Sequence, residues 1–146
     1  MVRVLECCPR ESTDKQLIFL NKAAQYAERS TLNQRHGCVV VINDEIISTG
    51  WNHNYMCSCQ VCSIHAEMDA LRKIKRNVDL TCAEMYVVRI GPPSKGSPLK
   101  LSKPCESCTR GIIHRNLGKV FYSWSFVPER NPRNRNNYTW HDLWNF

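Results

Sequence analysis

Two short stretches constrain this chain more than any others: Ile64-His65-Ala66-Glu67 and Pro104-Cys105-Glu106-Ser107-Cys108. They make chemical sense together only if the fold brings them into contact. His65, Cys105 and Cys108 offer one imidazole and two thiolates, a donor set that suits zinc, and a catalytic zinc keeps its fourth position for water. Glu67 is left over. A carboxylate beside an activated water can take its proton and hand it on. Structural zinc sites use four protein ligands as a rule, whereas this constellation supplies three and a carboxylate. The plainer alternatives are a structural site with Glu67 merely solvated, or no metal at all.

The spacing is physically consistent with one centre. Cys105 and Cys108 are three residues apart, so on a helix they share a face. Pro104 suits a helix start, where its fixed φ fits and its missing N–H costs nothing. His65 opens an apolar-periodic run through Ala66, Met68, Ala70, Leu71 and Ile74. Both ligand sets would then sit at helix N-termini, whose partial positive charge favours thiolates. On a regular helix His65 and Glu67 diverge. Both can approach one metal only from the first turn, where the chain is still entering the helix.

The rest of the chain frames that site. A length of 146 residues suits one domain with one proper core. No apolar run is long enough to span a membrane, and residues 1–6 lack the apolar stretch of a signal peptide. Of nine cysteines, two lie in the metal motif. Reduced thiols in an intracellular, cytoplasmic protein are therefore expected rather than a disulfide scaffold. The formal net charge of +7 suits an anionic ligand, either a nucleotide phosphate or a nucleic-acid backbone, and it equally suits plain solubility.

Along the chain, residues 1–12 read as an arm with room for a short strand. Ser12, Thr13 or Asp14 can cap a helix whose apolar positions run to about residue 31. Residues 38–42 form a buried-strand run, Asn43-Asp44 supply turn chemistry, and residues 45–51 return as a second strand, together a hairpin. Residues 52–63 show no apolar period and read as a loop. A helix over 64–75 follows, then an apolar central strand over 85–90. Residues 91–103, with three prolines and two glycines, read as a loop or flap. A helix over 105–116 ends before Gly118, and a last strand covers 119–124. This order implies an α/β sandwich with parallel strands at the site. The tail, 125–146, is first polar and basic, then aromatic: Tyr138, Trp140, Leu143, Trp144 and Phe146. Its aromatics suit clamping onto the domain or a neighbouring subunit, and its Arg, Asn and aromatic content also suits nucleic acid.

These segments resemble the cytidine and deoxycytidylate deaminase family, closest to its dCMP-deaminase branch. The order His-x-Glu then Pro-Cys-x-x-Cys is the signature of zinc nucleobase deaminases. Ala27-Glu28-Arg29-Ser30-Thr31 resembles the family's first helix end, Gly37-Cys38-Val39-Val40-Val41 its first strand, and Ser48-Thr49-Gly50-Trp51-Asn52 its Ser-Thr-Gly-Tyr-Asn. Lys119-Val120-Phe121-Tyr122 resembles its last common strand. The chain departs from the branch in three places. Asp69 stands where an Asn is usual, the 91–103 segment is longer, and residues 53–59 replace a Gly/Pro-rich loop.

The resemblance implies a cytidine-deaminase-like three-layer α/β/α sandwich with a mixed sheet of about five strands, spanning 1–146 as one deaminase domain with 13–124 as its catalytic core. It implies hydrolytic deamination of a cytosine nucleotide, dCMP to dUMP and ammonia. Zinc would be held by His65, Cys105 and Cys108, Glu67 would move protons, and Asn52 and the backbone at Ala66 would contact substrate. It also implies a homo-oligomer with a pyrimidine nucleotide as its small-molecule partner. Two other readings stay open: a deaminase acting on a base within RNA or DNA, and a catalytically silent zinc-containing module that binds nucleotide. His53, Cys57, Cys59 and Cys62 are candidates for a second, structural zinc, with Cys82, Cys7 or Cys8 as an alternative fourth ligand. Ordinary reduced cysteines are the simpler account.

Overall fold

The computed structural model describes residues 3–7 and 12–124; the tail singled out above lies outside them. The elements in order are β1 (Arg3–Cys7), α1 (Asp14–Ala27), β2 (Arg35–Ile42), β3 (Glu45–Trp51), β4 (His53–Cys57), β5 (Gln60–Ile64), α2 (Ala66–Arg72), β6 (Glu84–Ile90), β7 (Leu99–Lys100), α3 (Glu106–His114) and β8 (Lys119–Ser123). The main sheet has six strands in the order β1-β8-β6-β2-β3, with β7 added against β6. β1–β8 and β8–β6 pair parallel, while β6–β2 and β2–β3 pair antiparallel. The sheet is thus mixed, and contrary to the expectation of parallel strands at the site, α2 packs against the antiparallel pair β2–β3.

Alternating strand residues divide the core between two faces. Val39, Val41, Tyr86, Val88 and Ile90 pack with Leu17, Leu20, Ala23 and Ala27 of α1. Cys38, Val40, Met85 and Val87 pack on the other side with Ala66, Ala70 and Leu71 of α2 and Ile112 of α3. A sheet so buried on both faces has three layers, α/β/α. α1 begins with a capping box between Thr13 and Gln16. Gly37 is forced by the packing: a Cβ there would lie 1.9 Å from the Ala23 carbonyl oxygen and 2.4 Å from the Ala27 nitrogen. Asn43 and Asp44 both take positive φ, 50° and 63°, the pairing that a two-residue hairpin turn with native twist requires.

Five further sequence expectations are corrected. α1 closes at Ala27 with Glu28 as its cap, rather than running to about residue 31. The 91–103 segment is not all loop, since Leu99–Lys100 pairs with β6 as β7. Residues 52–63 are not a loop but the hairpin β4–β5, joined through Ser58 and Cys59 at φ 45° and 67°. Its residues are mostly exposed, so no apolar alternation betrays it. The second helix is shorter than 64–75: Ile64 ends β5 and the helix closes at Lys73. Pro104 does not occupy the first helical position; it precedes the cap residue Cys105 of α3.

Candidate active site

Both ligand stretches enter their helices in the same way. His65 is the cap of α2, extended at φ −76°, ψ 154°. Cys105 is the cap of α3, extended at φ −67°, ψ 169°, and its sulfur accepts the Cys108 N–H at 3.5 Å. An extended cap residue projects its side chain across the helix start, where the unpaired N–H groups lie. Glu67 follows within the first turn of α2 and is buried. This resolves the divergence expected of His65 and Glu67 on a regular helix, because only Glu67 is on the helix.

The three donors converge. Nδ1 of His65 lies 3.2 Å from Sγ of Cys108 and 3.5 Å from Sγ of Cys105. All three ligand atoms fall within 4.8 Å of one another, and this is the one such group of three among the described residues. Ligand bonds of 2.0–2.3 Å in a tetrahedron place donors about 3.5 Å apart, so the group fits a zinc ion. Burial, then the nearby Glu67 charge, push the Cys108 thiol above its usual range.

Glu67, His65 and Cys105 line a cavity of about 280 Å³ that also takes in Asn52, Arg89 and Lys103. Burial raises the Glu67 carboxyl above its ordinary range, partly offset by bonding from its own backbone N–H and from Cys108, and by His65. Glu67 forms no ion pair among the described residues. A larger depression of about 360 Å³, bounded by Arg76–Thr81 and His114–Asn116, contains none of these groups.

Asn52 is held in place. Its side-chain oxygen accepts the His36 N–H at 2.8 Å and its amide donates to the Gln34 carbonyl at 2.5 Å. This leaves one N–H and one oxygen lone pair. Ala66 is fully buried and outside the cavity lining; its carbonyl lies against Gly50, where a Cβ would approach to 2.5 Å. His53, Cys57, Cys59 and Cys62 lie on the β4–β5 hairpin and form no close ligand group of the kind made by His65, Cys105 and Cys108. The Nδ1 of His53 sits instead 2.8 Å from the Trp51 carbonyl.

Two further groups matter that the motifs do not mark. Asp69, wholly buried, accepts the Trp51 N–H at 3.2 Å, Nε of Arg72 at 2.8 Å and Nζ of Lys73 at 3.1 Å. Burial alone would raise its carboxyl, but these bonds outweigh it and hold the group below its ordinary range. It ties α2, which carries Glu67, to the strand end that delivers Asn52. Arg89 is the other; its strand position, two residues beyond Val87 on the same face, was the only sequence signal for it.

Residues 12–124 match the family model for the cytidine and deoxycytidylate deaminase zinc-binding region. Among solved structures, the chain is similar to the dCMP deaminase of cyanophage S-TIM5 in apo form, with 19% identity, TM-score 0.59, and coverage of 79% of this chain and 87% of that one. The same enzyme in complex with dCMP and dUMP matches at 18% identity and TM-score 0.57, covering 77% of this chain and 85% of the other. A Thermotoga maritima diaminohydroxyphosphoribosylaminopyrimidine deaminase/5-amino-6-(5-phosphoribosylamino)uracil reductase matches at 25% identity and TM-score 0.51, over 74% of this chain and 29% of that protein. A search of curated proteins gives no match. No helix among the described residues is long and apolar enough to cross a membrane.

Proposed function

The chain belongs to the cytidine and deoxycytidylate deaminase family, and from that premise we propose that it is a zinc-dependent hydrolase converting dCMP to dUMP and ammonia. The observation that carries this reading is the position of Glu67. It is a buried carboxyl without a cationic partner among the described residues, inside the cavity that His65 and Cys105 also line. A module that only bound nucleotide would need no such group, whose burial disfavours its charged form.

His65, Cys105 and Cys108 would hold the zinc, which when bound supplies Lewis acidity that lowers the pKa of water. The remaining work falls to this chain. Hydrolysis replaces the C4–N bond of cytosine with a C4–O bond. Glu67 takes a proton from water, delivers it to ring N3, and then passes the second to the amino group, which leaves as ammonia. A carboxyl raised above its ordinary range by burial is suited to take up a proton as well as to give it. Asn52, clamped by the backbone of Gln34 and His36, presents its remaining donor and acceptor to the sugar. The similarity of this chain's fold to that of a dCMP deaminase crystallised with dCMP and dUMP supports this choice of substrate.

The test is ammonia release by zinc-loaded protein from dCMP, CMP, deoxycytidine, cytidine, cytosine and a short cytosine-containing single strand. Turnover of dCMP is expected. Glu67→Gln, with zinc retained, should lose about a hundredfold to ten-thousandfold in rate. Activity on the strand alone would replace dCMP with a base in nucleic acid. No ammonia from any substrate, with zinc bound, would overturn the enzyme reading.

A further inference from the structure

The cavity is lined by two cations, Arg89 and Lys103, that form no ion pair among the described residues. Arg89 belongs to β6, where Met85 and Val87 point into the layer of α2 and α3. Alternation sends Arg89 to that same face, where the apolar row ends and the cavity begins. Its antiparallel partner is His36, another lining residue. Among the described residues the Arg89 guanidinium makes no ion pair, while its backbone N–H donates to the Ser123 hydroxyl at 3.1 Å. Lys103, exposed at the rim, is likewise without an ion-pair partner there. A half-buried arginine without a counter-ion is unusual in a resting protein, since a charge removed from water is ordinarily paired.

The surrounding structure fixes the backbone that carries these cations. β8 pairs with β6 only as far as Val87. Beyond it, β7 takes over, pairing Lys100 with Arg89 and Leu99 with Ile90. Arg35 holds the long 91–103 segment through the Gly91 carbonyl and the Ser97 hydroxyl, at 2.5 and 3.1 Å. Ser102 is buried and bonded to the Val87 carbonyl at 2.8 Å and to the Ser123 hydroxyl at 2.9 Å. The residue after Ser102 is Lys103, so the chain length that departs from compact relatives serves to build one wall of the cavity. Glu67, the acid in the lining, pairs with neither cation. Burial chiefly, opposed by the hydrogen bond to the Gln34 carbonyl and aided by the nearby Arg89 and His65, pushes His36 down to about 4, so it does not add to the charge.

We infer that Arg89 and Lys103 form an anion subsite that takes a phosphate group attached to the substrate. This rests on the reading of the cavity as a deaminase pocket, and it assigns the discrimination between nucleotide and nucleoside to these two residues. Arg89 is the specificity-determining residue, through the paired N–H donors that fit phosphate oxygens. Lys103 adds a point charge at the rim.

The experiment is titration calorimetry of the zinc-loaded full-length chain with dCMP, deoxycytidine and a short single-stranded oligonucleotide, repeated with Arg89→Gln and Lys103→Gln. Circular dichroism and zinc content verify that each variant is folded. In the unaltered chain dCMP is expected to bind at least tenfold tighter than deoxycytidine. Arg89→Gln should weaken dCMP by about tenfold to a hundredfold and leave deoxycytidine unchanged. Lys103→Gln should do the same to a smaller extent and flatten the salt dependence. Arg89-dependent binding of dCMP without ammonia release would keep the anion subsite and remove the deaminase reading. Arg89-dependent binding of the oligonucleotide but not of dCMP would keep the subsite and assign it to a polynucleotide backbone. A dCMP advantage that survives both substitutions would overturn the inference. So would equal weakening of dCMP and deoxycytidine, or binding of none of the three.

Discussion

Replacing Asp69 with alanine should destabilise the folded chain by about 3 kcal/mol, and the figure follows from its contacts. The carboxylate is wholly buried and accepts from Trp51 N–H, Arg72 and Lys73. The Arg72 and Lys73 side chains are 57% and 39% exposed, so they turn to water when the carboxylate is lost. Those two pairs are therefore worth only about 0.5–1 kcal/mol each. The Trp51 N–H has no such escape, and leaving a buried donor unpaired costs about 1–3 kcal/mol. For a chain of this size the sum corresponds to a fall in Tm of roughly 10 °C. Asp69→Asn retains an acceptor for Trp51 and should cost only about 1 kcal/mol. The carboxyl is held below its ordinary range in the folded state. Its charge-dependent contribution is therefore present above the unfolded pKa of about 3.9 and is lost as pH falls through the lower folded value. The gap between the natural chain and Asp69→Asn should stay constant from about pH 5 to 8 and close below about pH 4. Urea unfolding followed by circular dichroism, with zinc content verified, measures both quantities. A cost below about 1 kcal/mol for the alanine variant would refute the claim that Trp51 depends on this carboxylate.

Gly37→Ala should cost about 3 kcal/mol or more, because its Cβ would meet α1 backbone at 1.9 Å; soluble yield and thermal unfolding report it, and a neutral result would contradict the helix–sheet distance. His36 should titrate at about 4 when followed by ring proton NMR. With its folded pKa lowered, the stability it contributes is present above its unfolded pKa of about 6.5 and is lost as pH falls through the folded value; a measured value above 6 would be incompatible with the buried setting. Cys105→Ala should remove the zinc bound at this centre, read by elemental analysis, since two donors and water hold zinc far less tightly than three. Ser48→Ala should cost about 1 kcal/mol by deleting the buried bond to the Ala70 carbonyl, 2.6 Å long, measured by the same denaturant titration.

The convergence of His65, Cys105 and Cys108 was legible in the sequence because its chemistry resides in residue type. An imidazole, two thiols and a spare carboxylate at those spacings admit few other uses. Strands β2, β3, β6 and β8 and helix α1 were legible because each buries a face, and burial writes a period into the sequence. The Asn43-Asp44 turn was legible because few residue pairs accept two positive φ angles. The β4–β5 hairpin was not. With both strands largely exposed, no hydrophobic period exists to read, and Ser58-Cys59 is not a common turn pair. Nor did local pattern give the standing of Arg89 or Asp69. Arg89 is one charged residue in an apolar strand, and its role depends on where β8 stops pairing and β7 begins. Asp69 stands out in the sequence only as a departure from the family's usual Asn, and its burial follows from the packing of α2 against the end of β3. Composition and spacing determine which atoms are available and which segments must be buried. Only the tertiary structure decides which charges lose their water and which of those find a partner, because desolvation depends on neighbours that are remote in the chain.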